Sequence, residues 1–397
     1  MSKIVYHHIG ARGGSYPLPI HPPSPHLADF QFVFFDADPD CAEQVSAQLP
    51  GIANNTIVVP IAIGAEDGPA DLFITFDPYG SSLYRVNERY AAYNAIGTAG
   101  RGTLGEILKV VATQRVDVRR LDSVCAEAKV APPDMLSLDV QGAEWDVLAG
   151  ARTLVETSVL GIDLEVEFCE IYRGQKVISE IHDLLTELGF ELVRLVPGDP
   201  SATMVLPIGL FAEERQTWGD ALYLKSVERL AEVPGRETTV RLYKLALLSL
   251  LYEQVSNAIR CLEAIEARRA ATPDPWGSAG APGYAAFLDG FFQLYRSWPK
   301  VAVPDFSETH TQTMSQSRFW PQAKRDALKD ELGKEIDTRR AQLSAAHGKN
   351  AGYVLKLMLM DRTPIESYFA DNGFAKLART IAEKRKAQAQ IYLRTLM

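Results

Sequence analysis

A chain of 397 residues, 47% hydrophobic and 23% charged, has the composition of an ordinary globular protein and enough mass for two domains. Its four cysteines, Cys41, Cys125, Cys169 and Cys261, are too few for a disulfide framework and too scattered for a metal knuckle. The net charge of −9 hides an asymmetry, −16 over residues 1–224 and +7 over 225–397, so a change of sign marks the expected domain boundary.

In chain order, the apolar strand from Lys3 runs into a turn with Gly10, Gly13 and Gly14, residues that permit positive φ and close approach of a ligand. The spacing does not fit a dinucleotide-binding GxGxxG, which argues against a hydride-transferring dehydrogenase. A second strand, Gln31 to Phe35, ends on Asp36, where a first crossover unit places the carboxylate that holds ribose hydroxyls. Pro17, Pro19, Pro22, Pro23 and Pro25 exclude a regular helix between the two strands. Strands are expected at Thr56 to Ile63, broken by Pro60, and at Asp71 to Thr75. Residues 77–115 read as an irregular insertion of the kind that shapes or covers a site. A strand around Val116 to Arg119 and a helix Leu121 to Ala128 follow.

The stretch Pro133 to Val155 is the centre of the reading. Met135 to Val140 is a short apolar run of strand length containing Asp139, and Gln141-Gly142 stops it. The helix behind it has Trp145, Leu148 and Ala149 as an inward stripe, with Glu144 and Asp146 suited to the dipole of its first turn. A carboxylate at the end of a buried parallel strand lies where open α/β sheets bind ligands. Asp139 is therefore the leading candidate, with capping of the next turn as its structural alternative. On the strand Leu160 to Phe168, Asp163, Glu165 and Glu167 share one face. A helix Val177 to Leu188 and strands Phe190 to Val196 and Trp218 to Lys225 complete a mostly parallel sheet.

These residues carry a resemblance. His8-Ile-Gly-Ala-Arg-Gly-Gly14, Phe34-Phe-Asp-Ala-Asp-Pro39, Ala62-Ile-Gly64, Ser81-Ser-Leu83, the run Leu138 to Gly150, Glu165-Val-Glu-Phe168 and Tyr172-Arg-Gly-Gln175 resemble the successive motifs of the FkbM family over about residues 3–225. The resemblance implies a Rossmann-like class I methyltransferase fold that uses S-adenosylmethionine, most members O-methylating sugars or natural products. It implies that Gly10, Ala11 and Gly14 form the turn under the methionine part of the cofactor, that Asp36 holds the ribose, that Ala62 and Ile63 border the adenine, and that Ser82 belongs to the same pocket. Asp139 then faces the methyl group. His8 and Arg12 depart from the acidic residue and Val-Gly-Ala-Asn of the family, and the proline-rich loop replaces its usual first helix.

Methyl transfer from a sulfonium asks the protein to align the acceptor and, for a hydroxyl, to remove a proton. Asp139 leads as that base, followed by Glu165 and His8. His7 and His8 alternate faces, so at most one reaches a ligand. Beyond residue 225 the sequence predicts helices. Glu237 to Glu253 and Val255 to Ala267 form an antiparallel pair, Ala271 to Gly283 a linker, and Leu328, Leu332 and Ile336 mark a charged helix. Thr363-Pro-Ile-Glu366 is a capping box, and a last helix runs from Phe374 to Leu396.

Two domains are expected, 1–225 a methyltransferase domain, as the resemblance implies, and 226–397 an all-helical C-terminal domain. The acceptor is a small molecule or glycan, with no metal and no nucleic-acid partner, and the basic tail could serve a protein partner. The longest apolar run of the tail, Leu245 to Tyr252, is far below the ~20 residues of a membrane-spanning helix, and no basic, apolar leader opens the chain, so a cytoplasmic location is expected. The alternative is a non-catalytic binding or scaffold protein on a methyltransferase-like fold.

Overall fold

The computed structural model describes residues 3–11, 19–20, 24–48, 50–91, 94–95, 104–127, 130–198, 201–205, 210–297, 321–347 and 364–396. Among these residues seven strands form the main sheet: β1 (Ile4–Ile9), β2 (Phe30–Phe35), β3 (Thr56–Val59), β4 (Met135–Leu138), β5 (Gly161–Glu167), β6 (Phe190–Pro197) and β7 (Trp218–Lys225). Their spatial order is β3-β2-β1-β4-β5-β7-β6. β1 to β5 are parallel, and β7 runs antiparallel between β5 and β6. The winding reverses between β1 and β4, and at such a point an open sheet leaves a crevice beyond the carboxyl ends of its strands.

The apolar runs follow from burial on both faces. All six residues of β1 and all four of β4 are buried, so neither strand alternates polar with apolar. The helices α1 (Cys41–Gln48), α2 (Leu121–Ala126), α3 (Glu144–Gly150), α4 (Arg152–Thr157) and α5 (Ile178–Glu187) accompany the sheet. The core joins Ile9, Leu136 and Ile162 of the strands to Val147, Leu148 and Ile181 of the helices. The stripe expected on α3 is displaced by one position. Val147 and Leu148 are buried, Trp145 and Ala149 only partly, and Glu144 is buried as well.

Pro60 does break the expected strand, and its two halves join different sheets. Ala62–Ile63 pairs with Val110–Arg119, which pairs in turn with Gly68–Thr75. The strand expected only around Val116 thus begins at Val110. Its first residues lie largely exposed in this antiparallel pair, where no buried face imposes the alternation by which a strand is read. Ser201–Val205, a strand not expected from the sequence, pairs with Leu210–Arg215, likewise unexpected, on one side and with Asn94–Ala95 on the other. Between β1 and β2 the described residues hold only the short 3-10 turn Leu27–Asp29.

Contacts divide the chain into two compact units, Met1–Leu288 and Asp289–Met397. The first includes α6 (Val227–Glu232), α7 (Arg236–Leu251) and α8 (Val255–Arg268). α7 and α8 form the antiparallel pair expected from the sequence, and α7 packs at the amino ends of the strands. Its Lys244 Nζ donates at 2.7 Å to Asp134, the residue preceding β4, while the Val5 N–H donates to the same carboxylate at 2.9 Å. The stretch read as a linker is partly ordered onto this helix, since Trp276 is buried with its ring 5.4 Å from Tyr243. In the second unit, helices Gln322–His347, Pro364–Asp371 and Ala375–Leu396 are formed. Glu366, read as the acid of a capping box, is buried and accepts from Arg385 Nε at 2.7 Å; Thr363 lies outside the described residues. After Lys225 the described residues form helices and no strand.

Candidate active site

β1 ends in a turn whose geometry its neighbours dictate. The N–H groups of Gly10 and Ala11 both donate to the Phe35 carbonyl, at 3.0 and 3.1 Å, and the Asp139 N–H donates to the Ile9 carbonyl at 3.0 Å. Gly10 has φ of +98°, and a Cβ there would lie 1.8 Å from the Asp139 carbonyl oxygen. Only glycine lets β1 turn away while β4 passes this close.

A cavity of ≈ 310 Å³ opens at this point, beyond the carboxyl ends of β1, β2 and β4. Gly10, Asp36, Ala62, Ile63, Ser82 and Asp139, six of the residues singled out from the sequence, line it. The strand Gly68–Thr75 and the insertion supply Leu72, Ile74, Pro78, Tyr79 and Leu83, so part of the segment read as irregular does form a wall of the cavity. Ala11 is fully buried and does not reach the cavity, and Gly14 lies outside the described residues, as does Arg12. Asp36 accepts the Asp38 N–H at 2.8 Å through Oδ1. His8 lines the cavity while His7 turns to the other face and meets the Ala131 carbonyl. The His8 ring pairs through Nδ1 with Ser137 Oγ at 2.9 Å, and burial lowers its pKa to about 4.

Glu165 stands behind the cavity lining and reaches Asp139 through a third residue. Gln141 Nε2 donates to Asp139 Oδ1 at 2.8 Å and to Glu165 Oε2 at 2.7 Å. The Tyr172 hydroxyl donates to Gln141 Oε1 at 2.9 Å, and Ser82 Oγ donates to the Gln141 carbonyl at 2.7 Å. Gln141 is held at φ of +55°, a conformation few non-glycine residues adopt. Gly142 follows at φ of +92°, and a Cβ on it would meet the Tyr172 ring at 2.7 Å. In the sequence alone Gln141-Gly142 is a stop for the strand, and Tyr172 carries no role. The available signal was a polar side chain placed directly before glycine at a strand-to-helix turn.

Around this amide the carboxyl groups are crowded. Burial, with Asp139, Glu167 and Glu144 nearby, raises the Glu165 pKa well above the usual range. Glu167 is raised in the same way, by burial and then by Glu144. Glu144 is not an exposed partner of the helix dipole. It is buried, accepts the Val140 N–H at 2.9 Å, and burial raises its pKa to about 7. Like charges this close cannot all ionise, so protons are retained on the buried members of the group.

Residues 10–192 match the Methyltransferase FkbM domain. The 2-O-methyltransferase NoeI of Sinorhizobium fredii (strain NBRC 101917 / NGR234) is 42% identical over 83 residues, 21% of this chain and 32% of that protein, so the match spans about a third of the relative's length. Two solved structures are similar at 12% identity. The methyltransferase FkbM of Methylobacillus flagellatus KT has a TM-score of 0.30 over 56% of this chain and 44% of that one. The precorrin-6y C5,15-methyltransferase of Geobacter metallireducens GS-15 has 0.26 over 57% and 81%. Residues 10–192 of this protein thus belong to the FkbM methyltransferase domain family.

Proposed function

We propose that residues 1–225 form an S-adenosylmethionine-dependent methyltransferase domain that O-methylates a hydroxyl of a sugar, glycan or natural product in the cytoplasm, and that residues 226–397 are its helical C-terminal domain. The observation that carries this reading is the cavity at the reversal of the sheet, where Gly10, Asp36 and Asp139 from three adjacent strand ends come together. The name of the 2-O-methyltransferase relative supports a hydroxyl as acceptor.

The residues fit the cofactor. The ≈ 310 Å³ volume is within the ordinary range of ligand pockets, about 300–1,000 Å³. Asp36 offers a carboxylate to the ribose hydroxyls, Ala62 and Ile63 an apolar edge for the adenine, and Gly10 a backbone without a side chain beside the methionine. When bound, S-adenosylmethionine supplies an electrophilic methyl group. Asp139 Oδ2 takes the proton of the acceptor hydroxyl, while the bond from Gln141 to Oδ1 fixes the plane of the carboxylate. Glu165, kept protonated by burial and its charged neighbours, supports Gln141 without adding a second charge.

Calorimetry tests the reading. The chain is expected to bind S-adenosylmethionine and S-adenosylhomocysteine in preference to NAD. Asp36→Ala is expected to lose on the order of 1.5–3 kcal/mol for each charge-assisted hydrogen bond removed. Equal binding by Asp36→Ala would overturn the ribose assignment, and no binding by the parent would leave a non-catalytic binding protein as the better description.

A further inference from the structure

At the opposite end of the parallel strands, α7 and the amino ends of β1 and β2 enclose a second and larger cavity of ≈ 680 Å³. Its lining contains four cationic side chains, Lys3, Arg236, Arg241 and Lys244, against two carboxylates, Asp134 and Glu237. Lys244 is committed to Asp134 at 2.7 Å, and Arg236 donates through Nε to the Pro275 carbonyl. Arg241 is different. Its Nε and Nη2 are buried and have no hydrogen-bond partner among the described residues. Those two nitrogens are the side-on edge of the guanidinium, the edge that pairs with both oxygens of a carboxylate or phosphate.

Leaving that edge unpaired is unfavourable, because a buried cationic donor loses its hydration without recovering a partner. The surroundings make it worse. Burial lowers the Arg241 pKa, with Asp134 and Glu237 acting only against that trend, and Arg241 in turn helps to lower the pKa of buried Lys225 to about 8. The wall beside the cations is apolar and aromatic, formed by Val5, Leu154, Val240, Pro275 and Trp276.

We propose that this cavity binds a small organic anion, a phosphate or carboxylate on an apolar body, with the oxyanion on Arg241 and the body against Trp276 and Val240. Because the fork edge is covered in the unliganded chain, Arg241 turns on its flexible stem to meet the ligand, driven by the two bonds it lacks. This site lies at the amino ends of the strands and shares no lining residue with the cavity at their carboxyl ends. The ligand bridges α7 to the sheet and stabilises their contact.

The test is thermal unfolding and calorimetry of the full chain with phenyl phosphate, benzoate, inorganic phosphate and neutral phenol. Phenyl phosphate or benzoate is expected to raise the unfolding midpoint by a few degrees, saturably, and the stronger of the two identifies the oxyanion. Phenol should be inactive and inorganic phosphate weaker. Arg241→Met and Arg241→Lys, the second keeping the charge but not the fork, should each weaken the response at least tenfold while their unliganded midpoints stay at or above that of the parent. The proposal is overturned if no anion gives a saturable shift, if phenol acts equally, or if the variants respond like the parent. It is overturned also if both variants fail to fold, which would make Arg241 a structural cation. None of these readouts depends on cofactor binding or methyl transfer.

Discussion

Asp139, just beyond the end of β4, and Glu165 on the neighbouring β5 meet on one nitrogen: Gln141 Nε2 is 2.8 Å from the first carboxyl group and 2.7 Å from the second. An amide there separates the two carboxyl groups and donates to both, and its own oxygen is held by Tyr172 at 2.9 Å. A buried carboxyl pair without such a donor would repel or share a proton directly.

Gln141→Leu removes the donor and leaves the Tyr172 hydroxyl without one of its acceptors. We expect methyl transfer to fall about 10- to 100-fold through misorientation of Asp139, while calorimetric affinity for S-adenosylhomocysteine stays within about twofold. Asp139→Asn, which removes the base itself, should cost roughly 10²- to 10⁴-fold. Full activity in Gln141→Leu would show that Asp139 needs no orienting partner.

Stability should depend on pH through Glu144. Its pKa in the folded chain is about 7, raised from 4.5 by burial. Below pH 4.5 the group is protonated in both states, and between 4.5 and 7 the folded state binds more protons than the unfolded one. Stability therefore falls as pH rises through this window, by up to roughly 3 kcal/mol. Asp163, raised to about 6 chiefly by burial, adds a loss of the same sign. Glu144→Gln keeps an acceptor for the Val140 N–H and should flatten the slope of urea midpoints against pH. Identical slopes in variant and parent would exclude Glu144 as its source.

Gly10→Ala places a methyl group where the Asp139 carbonyl already lies, on a backbone at positive φ. The strand ends must separate, and we expect a loss of roughly 3–5 kcal/mol in chemical denaturation, with the cavity disturbed as well. A variant as stable as the parent would mean that β1 and β4 do not approach as described.

Lys244 and Asp134 form a buried pair, so removing one partner strands the other. Lys244→Met should cost about 3–5 kcal/mol in urea unfolding, and adding Asp134→Asn should restore most of it, since asparagine can still accept from the Val5 N–H. Equal stabilities for the single and double variants would argue against a coupled pair.

Much of this architecture is legible in local sequence. The strands β1, β2 and β4 announce themselves because burial on both faces demands apolar runs, β5 by its alternation of apolar residues with carboxylates, and Asp36 and Asp139 are found because such runs stop on a carboxylate. Pro60 and the prolines after residue 16 speak equally plainly, since a missing N–H is a property of one residue. α8 is read from its amphipathic stripe and α7 from its almost wholly apolar run. What local sequence could not decide is how residues distant in the chain share space. Gln141 looks like a turn residue until β5 and Tyr172 arrive beside it, and Glu144 looks like a dipole partner until the turn buries it against Val140. Glu165 reads as a candidate base on its strand, and only the packing of β4 against β5 sets it behind Gln141. The change of charge sign marks where the chain changes character, yet the choice of Lys244 for Asp134, and the unpaired edge of Arg241 beside it, are consequences of where α7 lands. Periodicity and turn chemistry are encoded within a few residues, whereas protonation and hydrogen-bond partners depend on desolvation and neighbours, which exist only once the chain has closed on itself.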